Sequence, residues 1–172
     1  MPLVPFESLP GSGRAWVFPA GRPLEEDERV GLLETVDAFL EGWAAHGAPL
    51  RAGRVFLHDR FLVVGVDEDA EAPSGCSIDA LVNALKRLGE ELGTTFVDRS
   101  PVWYRAAEGK GGGHIEAVSR ARFRELARRG EVDTDTPVFD PAVARVSQVR
   151  EGGLERRAGD SWHGRAFFAA AS

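Results

Sequence analysis

The sequence predicts an α+β fold: a ferredoxin-like β-α-β-β-α-β sheet with a C-terminal strand-and-helix extension. Three observations lead there. The apolar run FLVVGV at 61–66 follows the alternating RVFLHDR with room for only a tight turn at Asp59-Arg60, the mark of a β-hairpin. A helical pattern stands on each side of that hairpin. Extended segments open and close the set, in the order of a split βαβ unit. Residues 14–105 form the expected core and residues 106–172 an extension on it, within a single domain of residues 1–172.

The elements follow in order. RAWVFPA (14–20) alternates, with Trp16 and Phe18 on one face of a strand. GRPLEEDER opens a helix: Pro23 suits a first turn, and Glu25, Glu26, Asp27 and Glu28 complement the positive helix end. Its apolar stripe runs through Leu32 or Leu33, Val36, Phe39 with Leu40, and Trp43. The helix is expected to reach about His46, with Gly47 as a left-handed cap and Pro49 as a stop. FLVVGV, apolar at nearly every position, predicts a central strand covered on both faces.

DEDAEAPSG is an acidic loop. SIDALVNALKRLGEEL then has the cleanest helical spacing, with Ser77 as the expected N-cap and Gly93 as the end. TTFVDRSPVWYRA is extended and broken near Pro101. Beyond it come a Gly-rich turn (EGKGGG), a strand (HIEAV), and an arginine-bearing helix bounded by Ser119 and Gly130. A helix begun by Asp140-Pro141 and a loose tail, GDSWHGRAFFAAAS, complete the chain.

Composition narrows the function. The net charge of −6 argues against a nucleic-acid binder, which neutralises phosphates with excess Lys and Arg. Residues 1–99 carry 9 basic and 17 acidic side chains, and residues 100–172 carry 12 and 10. The positive surplus sits in SRARFRELARRG, either a solvated helix face or a patch for an anion or acidic partner. No apolar run approaches the ~20 residues of a membrane span, and the N-terminus lacks a signal-peptide pattern. One cysteine makes no internal disulfide, which fits a reducing cytoplasm.

The opening VPFESLP and RAWVF, then WAAHG, SGCSID, VFD near residue 139 and the late SWH occur together and in this order. On these words the chain resembles a family of bacterial proteins often labelled "ABC transporter ATPase", over most of its length. The resemblance implies no assigned activity or site. The label itself fails on chemistry: a P-loop needs G-x-x-x-x-G-K-[ST], and in AEGKGGGH Lys110 is followed by glycine. The acidic run DEDAE (67–71) lacks EF-hand spacing, and one Cys with four scattered His makes no zinc pattern. The expectation is therefore no metal and no cofactor.

The candidate site lies at the start of the second long helix. Ser74, Gly75 and Ser77 offer amides and hydroxyls to a small anionic ligand, and topology places Arg51 and Arg54, at the start of the second strand, on the same sheet edge. Cys76 is the alternative centre. A lone cysteine is most often a buried, inert hydrophobe. A helix start favours its thiolate, but only with a cation nearby. The end of the first helix should reach that edge too, bringing His46 to Cys76, and His163 of SWH could fold back onto it. Trp162 suggests a pinned tail. His58, in the hairpin turn, belongs to the opposite edge.

Three function classes follow: a small-molecule or anion-binding module (preferred), a cysteine enzyme or redox sensor using Cys76 with His46 or His163, and a self-associating domain, with a homodimer as partner, using an open sheet edge.

Overall fold

A computed structural model describes residues 3–107 and 113–169. The elements in chain order are β1 (Arg14–Pro19), α1 (Glu26–Glu41), β2 (Ala44–Ala45), β3 (Ala48–Pro49), β4 (Ala52–Leu57), β5 (Phe61–Val66) and α2 (Gly75–Leu92). They continue with β6 (Val102–Arg105), β7 (Ile115–Val118), α3 (Arg120–Arg128), β8 (Pro137–Phe139), α4 (Val146–Arg150), β9 (Glu155–Arg157) and α5 (Trp162–Phe167). The architecture is mixed α+β with antiparallel sheets. The chain divides into two compact units: Met1–Asp98 with Pro141–Glu151, and Arg99–Asp140 with Gly152–Ser172.

The first unit is built on a three-stranded antiparallel sheet of order β1-β5-β4. FLVVGV takes the centre because it has no polar position to offer water, and all six of its residues are buried. One face carries Trp16, Phe18, Leu62, Val64 and Val66. They pack against Leu32, Val36 and Leu40 of α1 and Leu81, Leu85 and Leu88 of α2. Each such side chain contributes roughly 1.5–3 kcal/mol on burial. The other face is closed by the N-terminal segment and α4. A Cβ on Gly65 would lie 2.9 Å from both Phe6 and Leu9 and 3.1 Å from Val146, so glycine is what permits that approach.

The ferredoxin-like sheet is not completed. VWYR (β6), the last extended segment of the expected β-α-β-β-α-β set, pairs with β7 and β8 in a separate sheet. The free edge of β1 is already taken: Ala15 N–H donates to the Ala144 carbonyl at 2.9 Å, and Gly21 N–H to that of Thr95 at 2.9 Å. The second unit is a four-stranded antiparallel sheet of order β7-β6-β8-β9. Val102, Tyr104 and Val138 pack there against Phe123 and Leu126 of α3.

Five local expectations are corrected. The first helix ends at Glu41, not near His46. His46 (φ 50°) and Gly47 (φ 81°) form the tight turn of the β2–β3 hairpin, so the left-handed glycine serves a hairpin rather than a helix cap. The N-cap of α2 is Ser74, not Ser77. Asp140-Pro141 does not start a helix; α4 begins at Val146, after an extended Arg145. Within the described part of the tail, Trp162–Phe167 is helical rather than loose. The Gly-rich turn, with Lys110, falls almost wholly outside the described residues.

Candidate functional site

The expected meeting of the first helix's end with the start of α2 occurs through Trp43. Trp43 lies just past α1 and is buried, and its indole N–H donates to the Ser77 carbonyl at 2.8 Å. At the α2 start the two serines cap each other. Ser77 N–H donates to Ser74 Oγ at 3.1 Å, Ser74 N–H donates to Ser77 Oγ at 2.7 Å, and the Ser77 hydroxyl donates to the Ser74 carbonyl at 2.7 Å. Donors expected for a ligand are thus spent inside the turn. Of the amides at 74–77, those of Gly75 and Cys76 remain without a partner among the described residues.

The other expected site residues do not converge there. Arg51 pairs with Asp67 at 3.3 Å. The same carboxylate accepts the amides of Asp69 and Ala70, which fixes the acidic loop around itself. Arg54 forms a two-pronged ion pair with Asp37 of α1, both bonds 2.8 Å. Cys76 is exposed, in the first turn of α2, so it fills no space in the core. His46 is exposed in its hairpin turn, and no hydrogen bond or ion pair joins it to Cys76.

His163 belongs to the second unit and is 1% exposed. Its ring stacks on Trp162, with centroids 3.9 Å apart, and its Nδ1 lies 2.8 Å from Ser161 Oγ. Burial pushes its pKa down to about 4; Asp140 opposes this shift and Arg120 adds to it. His163 is therefore neutral at pH 7 and holds no charge for a thiolate. Among the described residues no group of three or more His, Cys, Asp or Glu converges as metal ligands. No helix there is long and apolar enough to cross a membrane.

A different feature is better developed. β4 is an edge strand. Asp67 N–H bonds the Arg51 carbonyl at 2.9 Å, so by alternation residues 53, 55 and 57 direct their backbone groups to β5, and residues 52, 54 and 56 direct theirs outward. Val4 N–H takes the Ala52 carbonyl at 2.8 Å, in a parallel bridge of Leu3 with Ala52. The backbone of Val4 and Phe6 lies against Gly53, and the chain then enters the 3-10 turn Phe6–Ser8. The N–H and C=O groups of Arg54 and Phe56 are left without partners among the described residues.

These groups border an open groove of about 620 Å³, lined by Val55 and Phe56 of β4, Leu33 and Asp37 of α1, and Pro5 and Glu7. Sequence reasoning missed this edge. RVFLHDR shows a strand but not its neighbours. The legible signal was the pair of prolines, Pro2 and Pro5, which limits how far the N-terminus can run as a pairing strand.

Compared with protein-family models, curated proteins and solved structures, the chain matches none.

Proposed function

We propose that this chain is an interaction domain that self-associates through the β4 edge, with a second copy as the partner. The carrying observation is the pair of outward peptide units at Arg54 and Phe56, next to the stretch at Ala52 and Gly53 that the N-terminal segment covers. Two such edges are self-complementary. An antiparallel pairing centred on Val55 sets Arg54 of one copy opposite Phe56 of the other, and each opposed pair exchanges two backbone hydrogen bonds. Edge strands are usually guarded by charge, proline or a bulge. Here Arg54 is paired with Asp37, so it does not guard the edge as a bare charge.

The test is molar mass by light scattering across a range of concentrations, on the full chain and on Phe56→Pro. Proline at 56 removes an outward N–H while the bonds of β5 stay intact. A dimer for the parent chain and a monomer for a folded Phe56→Pro, checked by circular dichroism, support the proposal. A parent chain that stays monomeric at every concentration overturns it.

The anion-binding reading at Ser74–Ser77 retains the two free amides of Gly75 and Cys76, and the cysteine-enzyme reading retains the accessible thiol of Cys76. Millimolar phosphate that raises the melting temperature would restore the first. A rate of alkylation that titrates well below the free-thiol range of ~8.5 would restore the second.

A further inference from the structure

The second unit carries its positive charge in a row. Arg120, Arg124 and Arg128 stand four residues apart on α3, all exposed, with a rise of ~6 Å between neighbours along one side of the helix. Their helix neighbours Arg122 and Arg129 are both bonded to Glu125, at 3.4 and 2.7 Å. No carboxylate lies within ion-pair distance of Arg120, Arg124 or Arg128 among the described residues.

Two of these guanidinium groups are instead held over aromatic rings. Arg120 lies 5.1 Å above the centroid of Trp162, and Arg124 lies 5.5 Å above that of Phe167. The rings are supported from behind. Trp162 stacks on the buried His163, and Phe167 meets the fully buried Phe123 edge-on at 4.9 Å. Stacking orders a guanidinium while leaving its N–H edge free to bond a carboxylate in two-pronged fashion. The unit as a whole has 11 basic and 9 acidic side chains, against 10 and 18 in the rest of the chain, so the row is a local surplus in an acidic protein.

We infer that the Arg120–Arg124–Arg128 row docks an acidic peptide segment of a partner protein. The spacing matches carboxylates on alternate residues of an extended strand, ~6.6 Å apart, or four residues apart on a helix. A nucleic acid fits less well, because the faces of Trp162 and Phe167, which would stack bases, are already covered by arginines.

The experiment is fluorescence anisotropy of a labelled octaglutamate peptide with the full chain, at low and at near-physiological salt. The chain should bind the peptide, more weakly as salt rises. Arg120→Gln/Arg124→Gln/Arg128→Gln should weaken binding by about tenfold or more, and Arg122→Gln/Arg129→Gln by no more than about twofold. Arg128→Gln alone disturbs no ring contact and should still weaken binding by ~2–5-fold, which separates charge loss from misfolding. The inference is overturned by absence of binding at low salt, by equal losses in the two multiple variants, or by tighter binding of single-stranded oligothymidylate than of the peptide.

Discussion

The Trp43 indole N–H, 2.8 Å from the Ser77 carbonyl, ties the segment after α1 to the first turn of α2 across 34 residues of sequence. Trp43 also meets Trp16 of β1 edge-on at 5.8 Å, so one side chain joins sheet, hairpin and helix. Trp43→Phe keeps most of the packing and deletes the bond; we expect a loss of about 1 kcal/mol. Trp43→Ala should cost about 3–5 kcal/mol. Urea unfolding with an unchanged m-value measures both, and equal losses for the two variants would show that the hydrogen bond, not the packing, dominates.

The reciprocal cap between Ser74 and Ser77 should behave as one unit. Ser74→Ala and Ser77→Ala each leave an amide of the first turn without its acceptor, at a cost of about 1 kcal/mol. The double variant should lose less than the sum, because each bond holds the turn in the geometry the other needs. Strict additivity in urea midpoints would count against that coupling.

Stability should depend on His163. Its pKa is about 4 when folded against 6.5 for an ordinary histidine, so the unfolded chain binds the proton more readily. The resulting stabilisation is complete above about pH 7 and falls away as pH drops through 6.5 towards 4, by up to about 3 kcal/mol. In His163→Phe the fall over that window should be shallower than in the parent chain. Parallel stability–pH curves would show that burial does not depress this group.

Cys76 should react as an exposed surface thiol. One equivalent per chain should be labelled by a disulfide reagent under native conditions, without denaturant. Cys76→Ser should change stability by less than about 0.5 kcal/mol, since the sulfur fills no cavity. Labelling that requires unfolding would contradict the exposure.

Local chemistry was legible where one residue's neighbours in sequence suffice. The Leu81–Leu85–Leu88 stripe gave α2, the uninterrupted apolar run of 61–66 gave the central strand, and Ser119 and Gly130 bounded α3. At 46–47 the same reasoning failed. A left-handed glycine after an apolar stripe fits a helix cap and a hairpin turn equally, and the pairing of Ala45 with Ala48 chose the hairpin. The candidate site was legible only as a place. The rim where α2 begins was located, but Arg51 and Arg54 were claimed by Asp67 and Asp37, acids whose approach no spacing rule announces.

By itself, then, the sequence determined the α+β class, the β4–β5 hairpin and the two long helices. Each depends on the period of apolar side chains along a short stretch, which a chain carries whatever it packs against. Tertiary structure alone decided that VWYR joins a second sheet, that β4 keeps an open edge, that His163 is buried and that Cys76 is not. A strand's pattern shows which face it buries but not whose hydrogen bonds it takes. That choice falls to whichever segment reaches the edge, and at β1 the backbone of Ala144 holds it.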